Sequence, residues 1–138
     1  MIPPMPWTVT IPEQVAYVEA TISGKLSVED LFGSFDASLS AAQSSGRKLL
    51  LADLSNFGGG PSILDLMELA EKRHMDPERR FSRIAMVMPP IESAAKLVLF
   101  SETAFANQGM KSNSFAERSL AVAWLDSEWK ALKIAAGE

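Results

Sequence analysis

Along Val15–Ile22, VAYVEATI, Ala16, Val18, Ala20 and Ile22 fall on one side of an extended chain and Val15, Tyr17, Glu19 and Thr21 on the other. That period of two predicts a β-strand with one face turned to a core. A shorter, partly β-branched stretch, Thr8–Pro12, comes before it, and only Pro12-Glu13-Gln14 intervenes. The pair predicts an antiparallel hairpin. The period then changes. Val28, Leu31, Phe32, Phe35, Leu39 and Ala42 recur at i, i+3, i+4 and i+7, the spacing of an amphipathic helix. Ser27-Val28-Glu29-Asp30 reads as its capping box, and Gly46 after Ser44-Ser45 supplies a left-handed stop.

Lys48–Leu54 is a short apolar run bounded by turn residues, which predicts a buried strand. A second helix is predicted over Ile63–Met75 with Ile63, Leu66, Met67 and Ala70 directed inward, stopped by Asp76-Pro77. Its start, Ser62-Ile63-Leu64-Asp65, is another capping box. Arg83–Met88 predicts a third buried strand, and Pro89-Pro90 suits the first turn of a helix over Ile91–Ala106. Met110–Phe115 is a fainter last strand, and the chain reads as helical from Ala116 to Ile134. The order β-β-α-β-α-β-α-β-α predicts an α/β fold: a mixed sheet of four to five strands covered by about four helices. Strands joined through helices need a crossover and so run parallel. One contiguous core is expected, from Leu31, Phe32 and Phe35 through Leu51, Leu54 and Leu66 to Ile84, Met86 and Val87. At 138 residues, with no repeat or linker, residues 1–138 read as a single domain.

Charge and composition narrow the function classes. The net charge of −4 argues against a nucleic-acid partner, because phosphate contacts need a local excess of Lys and Arg. The one basic cluster, Lys72-Arg73-His74 with Arg79, Arg80 and Arg83, reads as cations complementing a helix C-terminus. The chain has no cysteine, which removes disulfides, thiolate nucleophiles and cysteine-ligated metals. His74 is the one histidine, so no histidine-based metal site can form, and it reads as a partly exposed cap. No cofactor and no metal are expected. MIPPMPWTVTIP carries no signal-peptide pattern, and Ala94–Phe100, the most apolar segment, is far shorter than the ~20 residues of a membrane span. A cytoplasmic location without a membrane span is the expectation. No Gly-x-Ser-x-Gly elbow occurs and no acid–base–nucleophile set assembles, so an enzyme is the least supported reading.

Residues scattered along about 8–126 carry a family resemblance. They are Gly24-Lys25-Leu26-Ser27 after the hairpin, LLLADLSNF at Leu49–Phe57, FSRIAMVM at Phe81–Met88, Ala94-Ala95-Lys96, Phe115, and Ala121 with Ala123-Trp124-Leu125. In this order and at these distances the chain resembles the bacterial SpoIIAA-like family, which is related to STAS domains and also labelled STAS/SEC14. The resemblance implies a mixed sheet of four or five strands covered by helices. In the better-understood STAS proteins a serine within an Asp-Ser-Ser-Gly turn after the third strand is phosphorylated to control partner binding. Laid over this chain, that turn falls on Pro61-Ser62-Ile63-Leu64, where Ser62 matches while Pro61 and Leu64 replace the Asp and the Gly.

Two regions are candidates for function. The first is LADLSNFGGGPS, Leu51–Ser62. It lacks the lysine of a P-loop and the spacing of a dinucleotide fingerprint. A turn between a buried strand and a helix N-terminus is nevertheless where open α/β sheets bind ligands, and its free N–H groups favour an anion. Asp53, Ser55, Asn56, Gly58, Gly59, Gly60 and Ser62 are the candidate ligand- or partner-binding residues, and Ser62 is the candidate phosphosite. Capping alone is the competing role for Ser62, and a cap on its own loop is the competing role for Asp53. The second region is the helix over Ile91–Ala106, apolar almost all round. Such a helix is wedged between layers, lines an apolar pocket or forms a dimer face. Leu97, Val98, Phe100 and Phe105 are the candidate pocket residues, and Met75, Met86, Met88 and Met110 would suit an adaptable apolar wall. The first region predicts a non-enzymatic regulatory or binding module for a partner protein or small ligand. The second predicts a carrier of an apolar or lipid-like small molecule, as SEC14-type relatives suggest, or a homodimer.

Overall fold

A computed structural model describes residues 6–73 and 80–137. Its elements are β1 (Trp7–Thr10), β2 (Tyr17–Gly24), α1 (Val28–Ser45), β3 (Leu49–Phe57), α2 (Ile63–Arg73), β4 (Arg83–Val87), α3 (Glu92–Asn107), β5 (Lys111–Phe115) and α4 (Arg118–Ala135). The order is the one the hydrophobic pattern predicts. One five-stranded sheet runs β1-β2-β3-β4-β5, with β1 antiparallel to β2 and every other pair parallel. His74, Met75, Asp76-Pro77 and Arg79 lie outside the described residues.

All three crossovers step the same way along the sheet, so the right-handed rule for parallel crossovers puts α1, α2 and α3 on one face, where they share a core. Val18, Ala20 and Ile22 of β2 are buried with them. Helix α4, which follows the last strand, returns over the other face, onto Leu49, Leu51, Ala85 and Val87. The expected single core is therefore two, because the sheet separates Leu51 and Val87 from Phe35, Ile84 and Met86. A period of two has this consequence: neighbours in a strand go to opposite sides. On the α4 side α4 packs mainly over β3, β4 and β5. The uncovered strands there present Thr8, Thr10, Glu19 and Thr21, none of them buried.

Expectation and structure differ at α2, α3 and β3. In α2, Leu66, Leu69 and Ala70 are the buried positions, whereas Ile63 and Met67 are about half exposed, at 50% and 47%. The helix leans on α3 rather than lying flat on the sheet, which turns its Ile63 and Met67 outward. Pro89 and Pro90 sit before the Ile91 N-cap of α3, not inside its first turn. Strand β3 runs three residues past Leu54, for a reason that belongs to the site. The capping of α1 follows its sequence: Ser27 Oγ accepts from the Asp30 N–H at 3.0 Å, and Gly46 is left-handed at φ 70°.

Candidate functional site

The carboxyl end of β3 is built around an extra residue. Thr21 pairs with Asp53 and Ser23 with Asn56, so three steps along β3 match two along β2. This bulge releases a backbone N–H from the ladder, and the Asp53 side chain takes it up. Asp53 Oδ1 accepts from the Ser55 N–H at 3.1 Å and from the Ser55 hydroxyl at 2.6 Å. The bulge also inverts the alternation, which is why Leu54 and Phe57, an odd number apart, line the same cavity. Asp53, Ser55 and Asn56 thus belong to a strand, not to the loop the sequence suggests.

The glycine run is a stitch between two chain segments. The Gly58 N–H donates to the Gly24 carbonyl at 2.8 Å, and the Leu26 N–H donates to the Gly59 carbonyl at 3.0 Å. Gly60 has φ +120°, and a Cβ there would collide with the Leu26 carbonyl oxygen. Only glycine combines that backbone with so close an approach. Beyond it, Ser62 Oγ accepts from the Asp65 N–H at 3.2 Å, while the Ser62 N–H donates to Asp65 Oδ2 at 2.7 Å. Ser62 is exposed and caps α2 through this reciprocal box.

On the α4 side of the same edge stands a pair that sequence reasoning did not find. Arg118, in the first turn of α4, donates to both Glu19 oxygens, at 2.8 and 2.6 Å, and lies 3.8 Å from Asp53 Oδ2. Hydrogen bonding to Glu19 is the main cause holding the Arg118 pKa above its ordinary value, against some desolvation. A usable signal was present. A cation in a helix's first turn opposes the helix dipole, so an acidic partner elsewhere is to be expected. The second half of α4 is fixed likewise: Glu128 accepts from Lys111 Nζ at 2.6 Å and Arg83 Nε at 3.0 Å.

Because each helix begins where a parallel strand ends, all four N-termini lie at this edge. Val28, Ile63, Leu64, Ile91 and Leu120 are exposed there, five of the nine large exposed hydrophobics among the described residues. Leu64, at 73%, is the most open of the five. The edge therefore joins a polar, hydrogen-bonded strand end to an apolar rim. Its chemistry suits contact with another surface.

Beneath the edge, between the sheet and α1–α3, is an apolar cavity of about 100 Å³. Helix α1 lies over β1 and β2, α3 over β5, and α2 against α3, which leaves the central strands to form the floor. Leu50, Ala52, Ile84 and Met86 make that floor. Leu97, Val98 and Phe105 of α3 stand in the wall, whereas Phe100 packs half-buried outside it. Met110 is buried in the same cluster and Met88 packs against it, but neither lines the cavity. None of Asp53, Ser55, Asn56, Gly58, Gly59, Gly60 and Ser62 lines it either; the Leu51–Ser62 stretch reaches the cavity only through Ala52, Leu54 and Phe57. Among the described residues no cluster of three or more His, Cys, Asp or Glu could hold a metal, and no helix is long and apolar enough to cross a membrane.

Known proteins place this architecture. No curated protein matches the sequence. Among solved structures, an uncharacterised protein of the DUF3478 family with a SpoIIAA-like fold, from Shewanella loihica PV-4, superposes with a TM-score of 0.57 at 19% identity, over 86% of this chain and 91% of that one. An anti-sigma factor antagonist from Mycobacterium paratuberculosis superposes with a TM-score of 0.52 at 15% identity, over 91% and 99%. The SpoIIAA-like family model matches residues 17–126, from the first residue of β2 into α4. With the mixed sheet, the three helices on one face and the returning fourth, that match over most of the chain establishes that it belongs to the SpoIIAA-like family.

Proposed function

We propose that this protein is a non-enzymatic regulatory module that docks a partner protein on the carboxyl edge of its sheet. The observation that carries the reading is the exposed apolar rim, Val28, Ile63, Leu64, Ile91 and Leu120, beside the exposed Ser62 cap. Exposed apolar clusters rimmed by polar groups are typical of interaction surfaces. One structural neighbour is named an anti-sigma factor antagonist, and its fold supports a role in protein–protein regulation. Ser62 would be the switch. A phosphate there would meet unpaired N–H groups at the positive end of α2 and face the Asp65 carboxylate, changing the charge of the docking edge without entering the core.

Photocrosslinking inside host cells tests this. A crosslinking residue at Leu64 should capture a discrete protein, and one at Ile134, exposed on the opposite edge, should not. Equal capture from both positions, or none from Leu64, overturns the reading. A second reading is favoured by a separate observation, the apolar cavity under α1–α3. On that reading the protein carries a small apolar molecule. Native mass spectrometry of protein isolated from its host would detect the bound mass.

A further inference from the structure

We propose that the cavity between the sheet and α1–α3 is a preformed site for one small, uncharged ligand, a single aromatic ring bearing a hydrogen-bond donor, with phenol as the simplest example. This deepens the carrier reading and rests on it. Size is the first constraint. The cavity holds about 100 Å³, whereas pockets for drug-sized ligands run roughly 300–1,000 Å³. A dry apolar cavity of ~150 Å³ accepts benzene. At about two-thirds of that volume, a single ring is the upper limit of the occupant, and a long acyl chain is too large. Charge is the second constraint. No acidic or basic side chain lines the cavity, so an ionised ligand would lose its hydration and gain no partner.

The third constraint comes from three serines in the wall. Ser34 and Ser38 of α1 and Ser101 of α3 are all buried. Each donates its proton within its own helix: Ser34 to the Leu31 carbonyl at 2.9 Å, Ser38 to the Ser34 carbonyl at 2.8 Å and Ser101 to the Val98 carbonyl at 2.6 Å. A hydroxyl whose proton is committed still has lone pairs that accept. The wall thus presents hydrogen-bond acceptors in an otherwise apolar space, and a ligand that brings its own donor fits it best. The half-buried Leu31, Leu54 and Leu97 in the lining set the entry between α1, β3 and α3.

Titration of the full chain with benzene, phenol and 1-decanol, followed by NMR of the Ile84 and Met86 methyl groups, tests the proposal. Benzene and phenol should shift those signals and decanol should not. In the combined variant Ser34→Ala, Ser38→Ala, Ser101→Ala, phenol should bind roughly three- to tenfold more weakly with benzene unchanged, the scale of one net hydrogen bond. Ser34 and Ser38 bond only their own helix, and Ser101 adds one weak contact, 3.4 Å to Met86 Sδ of β4, so alanine should preserve the fold and the Ile84 methyl reports binding in that variant. Ala52→Leu, which fills the floor, should abolish both. An unchanged phenol-to-benzene ratio in the serine variant overturns the donor inference and leaves the carrier reading standing. Binding of decanol alone overturns the size argument in favour of a lipid-like cargo. If no probe moves the floor methyls, or if binding survives Ala52→Leu, both the site and the carrier reading fall.

Discussion

On the α4 side of the sheet, Leu49, Leu51, Ala85, Ala121 and Leu125 are at most 1% exposed beneath a single helix, while three helices on the other side leave a cavity of about 100 Å³. The difference follows from how the helices are tethered. Helices α1, α2 and α3 each connect two strands, and the crossovers dictate where they lie. Long side chains such as Phe35 and Phe105 then bridge the centre, stacked with centroids 5.8 Å apart. Helix α4 follows the last strand and joins no further strand of this sheet, so no crossover dictates its place, and it settles where small residues, Ala85 below and Ala121 above, let it approach closely. Ion pairs at Arg118, in its first turn, and at Glu128, past its middle, then hold it in place. Crossover helices leave an apolar space against the sheet, whereas α4 closes on the strands beneath it and leaves open only a more polar cleft beside Asp126 and Trp129.

The largest effect should come from the side chain that spans the loosely filled side. Phe35 is buried and also meets Phe81 edge-on at 5.9 Å. Phe35→Ala should cost about 3–5 kcal/mol in chemical denaturation. A loss below about 1 kcal/mol would mean the helices on that side collapse to fill the gap, and the contrast between the faces would vanish.

A pair of small-to-large changes addresses the contrast directly. Ala85 is fully buried under α4, and Ala85→Leu should destabilise by about 1–3 kcal/mol as overpacking. Ala52 floors the cavity on the other face of the adjacent strand, and Ala52→Leu should change stability by less than about 1 kcal/mol, in either direction. Equal penalties in urea melts would show that the two faces are packed alike.

How much of this was legible in the sequence depends on which residues are asked. The alternation of Val15–Ile22, the Ser27 and Ser62 caps and the Gly46 stop are local signals, and the structure uses each of them. The end of β3 was not legible as strand. A bulge breaks the period of two, so Ser55–Phe57 reads as polar loop although Asn56 and Phe57 pair with β2. The inward direction assigned to Ile63 and Met67 failed because α2 leans on a helix distant in sequence, which no single-helix pattern encodes. The Glu19–Arg118 pair is 99 residues apart and needs the whole topology to appear. For the candidate site, the sequence pointed to the carboxyl end of β3, but the apolar rim at that edge comes from four helix starts gathered by the fold.

The ionic anchor of α4 gives a smaller effect with a pH signature. The hydrogen bond from Lys111 is the main cause lowering the Glu128 pKa, with burial opposing it and the Arg83 hydrogen bond adding to it. A carboxylate lowered in the folded state binds fewer protons there than in the unfolded chain, so its stabilisation is complete above the ordinary carboxylate range. It is lost as pH falls through the lowered folded value. Glu128→Gln should therefore cost about 1 kcal/mol at pH 7 and progressively less below about pH 4.3. A penalty independent of pH would assign the loss to packing, making α4 a purely apolar lid.

The smallest effect belongs to the docking edge. Ser62 makes one capping bond through its hydroxyl and one through its backbone, so Ser62→Ala removes only the first. The expected cost is roughly 0.5–2 kcal/mol, toward the lower end because the residue is exposed. Ser62→Asp should be nearly neutral: aspartate also caps, its charge favours the helix N-terminus, and repulsion from the Asp65 carboxylate offsets part of that gain. Both proteins should keep the wild-type fold by circular dichroism, because the serine lies outside both cores. The informative measurement is the comparison of the two variants under identical conditions. If Ser62→Asp destabilises as much as Ser62→Ala, negative charge is not tolerated at this cap, and a phosphate could not sit there without disturbing α2. If Ser62→Asp is neutral in stability yet abolishes crosslinking from Leu64, the edge is a charge-controlled docking surface, distinct in both chemistry and function from the apolar cavity beneath it.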